Sequence, residues 1–480
     1  MNFSIIRYIM GWIIQVEGVF LMLPVIVACI YKEENGIYFL ICAVAAVVLG
    51  ALMTVKKPVK KSFYAREGYI TVALGWIVLS LIGALPFWIS GEIPHFIDAL
   101  FEIISGFTTT GASILSDVEA LSKCMLFWRS FSHWIGGMGV LVFVLAILPM
   151  TGGESLHFMK AESPGPSVSK LVPKLRQTAM MLYSIYTGLT LLEMVLLLIG
   201  KMPLFDVLCL SFGTAGTGGF GILNSSIADY TIYQQVVITI FMVLFGINFA
   251  FYFLILMRKV KDAFHIQEIR WYLGLYASVA LLITINITWT SGGSVWINLK
   301  DAAFQAASVM TTTGYSTVNF DLWPSFSKTL LVLLMFIGAC AGSTGGGIKV
   351  SRILIYLKTI KKELASLVHP RSVKILKMDG KKIEHGVLRS ANVFLCTYIL
   401  VFILSLILIT LDENDLVTNF TAVTAALNNI GPGLSKVGPA ENFGMFSDFS
   451  KLVLSFDMLA GRLELFPILL LCMPSTWKRK

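Results

Sequence analysis

Four stretches of the chain repeat one arrangement of small and polar residues: DALFEIISGFTTTGAS (98–113), DVLCLSFGTAGTGGFG (206–221), DAAFQAASVMTTTGYS (301–316) and TNFTAVTAALNNIGPG (418–433). In the first three an Asp (Asp98, Asp206, Asp301) stands thirteen residues before a Gly (Gly111, Gly219, Gly314), and in the fourth Thr418 stands thirteen before Gly431. Thr and Gly in a loop offer backbone carbonyl oxygens, and a row of carbonyls facing an axis can replace the water shell of a cation. Glycine permits the positive φ and the close approach that four such loops would need. The candidate ligands are Thr109, Thr110 and Gly111; Thr217, Gly218 and Gly219; Thr312, Thr313 and Gly314; and Asn429, Ile430 and Gly431. No carboxylate lies among them, which disfavours Ca²⁺, and no loop supplies the Arg an anion would want. A large monovalent cation such as K⁺ fits this chemistry, with Rb⁺ accepted.

A second constellation is FIGACAGSTGGGIKVSR (336–352), with Gly338, Gly342, Gly345, Gly346 and Gly347 inside an apolar run. Each interior glycine costs a helix about 1 kcal/mol relative to Ala, so the helix is expected to unwind here. Gly342, Ser343, Thr344, Gly345, Gly346 and Gly347 are the candidate gate. Packing of small residues against a neighbouring helix would explain Gly338 and Gly342, but not three consecutive glycines. Arg462 joins this group because an ionisable residue inside a span faces a cavity or a partner. It stands either as a barrier that also holds loop carbonyls or as one half of a salt bridge to Glu17, Glu193 or Asp457.

Positioning these residues requires a membrane scaffold. Of the 480 residues 56% are hydrophobic and 14% charged, against about a quarter charged in soluble domains, which excludes a water-soluble enzyme. Ten stretches are apolar over roughly the length of a bilayer core: 8–30, 37–54, 69–89, 127–150, 178–199, 234–257, 271–290, 329–349, 390–410 and 452–473. The first is too long for a secretory signal and carries Glu17, so it is expected to be retained. Between alternate pairs lie apolar segments too short to cross, suited to re-entrant helices. The expected fold is an all-α polytopic membrane protein with four parallel helix, short helix, helix repeats around a pseudo-fourfold pore, preceded by two extra N-terminal transmembrane helices. Its divisions fall at 1–68 for the two extra helices, 69–150 for the first repeat, 151–257 for the second, 258–364 for the third with the glycine-rich gate, and 365–480 for the fourth.

The filter strings, together with WRSFSHWIGGMGV (128–140), ESPGPSVSKLVPKLRQTA (162–179) and MLAGRLELFP (458–467), resemble the Trk-type potassium uptake proteins of the TrkH/KtrB superfamily. The two extra N-terminal spans resemble its TrkH branch. The resemblance implies a K⁺-conducting homodimer in a bacterial plasma membrane, one pore per protomer, the segment after Ile337 as a gating loop, and a cytosolic nucleotide-binding regulatory partner of the TrkA type. No nucleotide is expected on this chain. GTGGFG (216–221) and GSTGGGIK (342–349) approach dinucleotide and phosphate-loop motifs but lack any βα context. Repeat two has GTGG in place of TTTG, and repeat four lacks both the Asp and the threonines, so selectivity for K⁺ over Na⁺ is expected to be imperfect.

Charge sets the expected orientation. The connections assigned to one side (31–36, 90–126, 200–232, 291–328 and 411–451) hold 7 Lys and Arg against 16 Asp and Glu; the other side holds 27 against 8. Positive loops face the cytoplasm, which puts both termini inside and an acidic surface outside. Nothing points to nucleic acid. Seven cysteines in or beside apolar runs, without C-x-x-C pairs, read as small buried hydrophobes. His133, four residues after Arg129, reads as a hydrogen-bonded structural residue. The alternative function is a secondary K⁺ symporter coupled to H⁺ or Na⁺, which would want an ionisable relay at mid-membrane; the candidates Glu17, Glu193, Asp457 and Glu464 are scattered. A membrane enzyme would want a clustered acid, base or metal site, and none is visible.

Overall fold

The computed structural model describes residues 2–58, 65–139, 175–370 and 375–477. They are helical throughout, apart from loops and one small antiparallel pairing of Lys377–Met378 with Lys381–Lys382. Six helices are long and apolar enough to cross a bilayer: Phe3–Tyr31, Gly36–Thr54, Arg66–Ser90, Ala179–Ile199, Gln267–Ser291 and His385–Asp412. Their outward faces are those of lipid-facing helices. On His385–Ile409, Phe394, Tyr398 and Phe402 are buried while Leu400, Leu404 and Ile407 are exposed, an apolar outer face that water would penalise and hydrocarbon accepts.

Four of the ten expected spans differ. The 234–257 stretch is two helices, Ile232–Phe245 and Phe249–Leu256, meeting at 90°. Asn248 causes the break by capping the second helix, its Oδ1 accepting from the Ala250 N–H at 2.8 Å. The 329–349 stretch is helical as Ser325–Ile337 and then opens at Gly338, φ 73°, as the glycine count predicts. The 452–473 stretch ends as a helix at Arg462, turns through left-handed Glu464 and Leu465, and resumes as Phe466–Cys472 with Pro467 in its first turn, where a missing N–H is harmless. The fourth, 127–150, begins earlier, as Lys123–Met138; its remainder lies outside the described residues, as does most of the 162–179 string. The thiols depart in part from the expected burial: all seven are free, but Cys29, Cys396 and Cys472 are exposed.

Four short helices, Phe96–Phe107, Leu204–Gly216, Val295–Met310 and Leu416–Leu427, occupy the interior. Nearly every residue in their second halves is buried, so each is surrounded by protein, the condition under which backbone can stop at membrane depth. Asp98 and Asp206 stand in first turns and Asp415 caps the fourth helix, where a carboxylate suits the positive end of the helix dipole. Asp301 instead lies inside the longer third helix, 3.0 Å from Lys300 Nζ.

Candidate functional site: a ring of four glycine loops

All four short helices end in the same way. Thr109, Thr217, Thr312 and Asn429 are left-handed, with φ of 56°, 56°, 58° and 56°. In the first loop the Thr109 N–H donates to Gly106 O at 3.1 Å and the Thr110 N–H to Ser105 O at 2.9 Å; the pairs at Thr217 and Gly218, Thr312 and Thr313, and Asn429 and Ile430 repeat this between 2.8 and 3.2 Å. This is the Schellman arrangement, usually built on glycine. Here the glycines come two residues later, at Gly111, Gly219, Gly314 and Gly431, with φ of 80°, 74°, 88° and 100°.

Those glycines join the loops. A Cβ on Gly111 would lie 2.0 Å from Gly218 O, one on Gly219 1.8 Å from Thr313 O, one on Gly314 2.2 Å from Ile430 O, and one on Gly431 2.8 Å from Thr110 O. Each loop abuts the next in chain order and the fourth returns to the first. All four glycines line one open cavity of about 180 Å³, whose charged lining residues are Arg129 and Glu441; the acidic excess expected outside is not on its wall. Thr109, Thr110, Thr217, Gly218, Thr312, Thr313, Asn429 and Ile430 are all buried. Among the described residues no hydrogen bond ends on their carbonyl oxygens. Buried carbonyls are otherwise almost always paired, so a ring of unpaired ones is suited to a dehydrated cation.

The side chains of the loops turn to the protein. Thr108 Oγ1 donates to Ile104 O at 2.6 Å and lies 2.8 Å from Thr110 Oγ1; Thr311 and Thr313 repeat this in the third loop. In the fourth, Asn429 Nδ2 donates to Thr110 Oγ1 at 3.0 Å and to Met458 O at 2.9 Å, which replaces the missing threonine contacts by a bond to the neighbouring first loop. Behind the first two loops, buried Arg129 pairs with buried Glu102 at 2.7 Å, donates to Gly221 O at 3.1 Å and stacks 3.8 Å over Phe220. His133 faces Gly106 O through Nδ1 at 2.7 Å and accepts the Phe220 N–H through Nε2 at 3.2 Å. These bonds require the neutral Nδ1–H tautomer. Arg129 and His133 show in the sequence as a spaced pair, whereas Glu102 sits within an apolar short helix with nothing to mark its partner.

The glycine-rich segment lies directly against the ring. The Gly346 N–H donates to Thr312 Oγ1 at 2.6 Å, and a Cβ on Gly346 would lie 2.2 Å from Asn428 O. Lys349 Nζ bonds Gly345 O across the turn. Glu268, far away in the chain, accepts the N–H of Ala341 at 2.6 Å and of Ser351 at 3.1 Å, clasping both ends of the segment. The broken second-repeat helix is stitched to it as well, through Phe249 N–H to Gly342 O at 2.9 Å and Cys340 N–H to Gly246 O at 3.1 Å. Arg462 donates to Thr344 O at 2.9 Å, to Gly137 O at 2.7 Å and to Gly136 O, with Thr109 Oγ1 at 3.5 Å. It thus ties the segment to the C-terminal end of Lys123–Met138, where carbonyls are free to accept. No ion pair among the described residues joins it to Glu17, Glu193 or Asp457; Asp457 accepts from Ser405 Oγ at 2.6 Å, and Glu464 pairs with Arg352 at 2.6 Å. Glu268 and Lys349 escaped the sequence reading, since a carboxylate and an amine at span ends look like ordinary boundary charges.

Spans, interior short helices and the loop ring together define a polytopic α-helical membrane transport protein. The chain belongs to the TrkH family of cation transport proteins, whose profile matches residues 36–301 and 291–479. It is 36% identical, over the full length of both chains, to the Trk system potassium uptake protein TrkH of Salmonella typhimurium and to that of Escherichia coli K12. It is 32% identical to the Trk system potassium uptake protein TrkG of Escherichia coli K12, over 99% of this chain and 98% of that one. Its structure superposes on the crystal structure of the potassium transporter TrkH from Vibrio parahaemolyticus with a TM-score of 0.89, at 33% identity and full coverage of both. Family membership places it among transport proteins and not among enzymes.

Proposed function

We propose that the protein takes up K⁺ across a bacterial inner membrane as the conducting subunit of a Trk-type system. The observation that carries this is the closed ring of buried, unpaired carbonyls. Thr109–Gly111, Thr217–Gly219, Thr312–Gly314 and Asn429–Gly431 act as the selectivity filter, and the 342–347 segment with Arg462 acts as the gate beneath it. Two features support the gate: the segment packs on Thr312 and Asn428 of the ring, and Arg462 places a permanent cation beside Thr344 and Thr109. A positive charge there opposes cation passage until the segment moves. Charge bias supports an orientation with both termini in the cytoplasm. Resemblance to Trk proteins supports a homodimer and a cytosolic TrkA-type nucleotide-binding partner.

Proteoliposomes holding only the purified chain provide the test. A K⁺ gradient should drive ⁸⁶Rb⁺ flux that persists without any H⁺ or Na⁺ gradient, and bi-ionic potentials should favour K⁺ over Na⁺. Unitary currents should exceed by far the roughly 10³ events per second of an ordinary catalytic cycle. Flux that needs an H⁺ or Na⁺ gradient would establish the symporter instead.

A further inference from the structure

A groove of about 680 Å³ opens beside the first turns of the Gln267–Ser291 span, and none of the four loops lines it. One wall is a stripe of that helix, Gln267, Arg270, Trp271, Gly274, Leu275 and Ser278, spaced three and four apart and therefore on one face. Lys358, from Val350–Val368, lines the groove as well. The stripe is graded along the helix. Its polar and cationic end is at the first turn, Trp271 follows with 56% of its surface exposed, and small and apolar residues lie further into the span. Indoles concentrate at the membrane–water boundary, and a Cβ on Gly274 would meet nothing within 4 Å, which leaves room for a chain beside the helix.

The hairpin that carries Lys377, Lys381 and Lys382 is bonded to the residues at this cationic end. Two bonds hold the hairpin there, Gln267 N–H to Asp379 Oδ1 at 2.8 Å and Lys358 Nζ to Lys377 O at 2.7 Å. Lys358 also donates to Gln267 Oε1 at 2.5 Å, and Arg270 makes a long 3.4 Å contact to His265 O, so its guanidinium retains donors for a ligand. A basic rim above a half-open apolar slot at the end of a membrane span has the charge and shape of an anionic phospholipid site.

We propose that this groove binds an anionic glycerophospholipid, its phosphate at Arg270 and Lys358 and an acyl chain along Gly274 to Ser278, and that the bound lipid steadies the 338–347 segment. The second half follows from connectivity. Glu268, in the same helical turn as Gln267 and Arg270, clasps Ala341 and Ser351, and Lys358 lies two turns beyond Ser351 on the helix leaving the segment. A lipid that bridges Arg270 and Lys358 therefore clamps the helix whose Glu268 clasps the segment to the helix that leaves it.

The binding half stands apart from the K⁺ reading; the flux half rests on it. Native mass spectrometry of the delipidated full chain, titrated with phosphatidylglycerol and with phosphatidylcholine, should show preferential retention of the anionic lipid. R270Q/K358Q should weaken phosphatidylglycerol binding roughly thirtyfold, about fivefold for each charge, and leave phosphatidylcholine unchanged. G274L, which keeps both charges and fills the slot, should also lose phosphatidylglycerol. Equal retention of the two lipids, unchanged binding in R270Q/K358Q, or displacement by inorganic phosphate would overturn the site. So would disulfide crosslinking of two copies through Ser278→Cys, which would make the groove a subunit contact. In proteoliposomes, ⁸⁶Rb⁺ flux should vary with phosphatidylglycerol content, and the double variant should flatten that slope. A persisting slope with lipid binding lost overturns the coupling; lipid binding without any flux from either protein leaves the site standing and sinks the transport reading.

Discussion

At Gly219 an added methyl group would overlap the Thr313 carbonyl oxygen at 1.8 Å, at φ 74°, whereas at Gly431 the corresponding distance to Thr110 O is 2.8 Å. A left-handed φ alone costs a non-glycine residue about 1–2 kcal/mol, and the overlap adds displacement of a carbonyl of the proposed filter. G219A should therefore abolish selective ⁸⁶Rb⁺ uptake, and G431A should retain more of it; equal loss in two equally expressed variants would count against the ring geometry. Arg462 acts through charge-assisted bonds to backbone oxygens, each worth about 1.5–3 kcal/mol. R462A should release the 342–347 segment and raise partner-free ⁸⁶Rb⁺ flux by roughly tenfold, while unchanged currents would leave Arg462 a purely structural tie. Sequence showed these residues because a glycine triplet and a charge inside an apolar run violate local expectation. It hid Glu102 and Glu268, whose partners come from elements 11 to 83 residues away.

Elements were legible wherever hydrophobic runs were unbroken, and misread wherever a single capping residue outweighed the run. Asn248 and the Glu464–Leu465 turn break two apolar stretches without lowering their hydropathy enough to be noticed. The fourth short helix illustrates the converse: it lacks the aligned Asp, yet Asp415, three residues earlier, accepts from the Thr418 N–H at 2.9 Å. The Thr418 hydroxyl and N–H hold the Asp415 carboxyl below its usual range. Because the folded value is depressed, the stability it contributes is complete above the ordinary carboxylate pKa of about 3.9 and is lost as pH falls through the lower folded value. D415A should cost about 1 kcal/mol in thermal unfolding at neutral pH. That difference should shrink in acid; a difference that grows in acid would reverse the assignment.

Across the whole molecule, charge and ring closure carry different kinds of information. Charge bias needs no coordinates and makes a topological prediction. In a cysteine-free background, E413C should react with a membrane-impermeant thiol reagent on intact cells and K361C only after permeabilisation; the opposite pattern would invert the protein. Composition, span length and thirteen-residue spacing were sufficient to place the chain in a membrane, to count four repeated loops and to locate the glycines, because these depend on residue type and local periodicity. Closure of loop four onto loop one, the bond of Asn429 to Thr110 and the clasp of Glu268 on the glycine segment depend on contacts between residues tens to hundreds of positions apart. Local pattern carries no term for such distances, so the ring and the glycine segment packed on it took shape only when helices from all four repeats packed together.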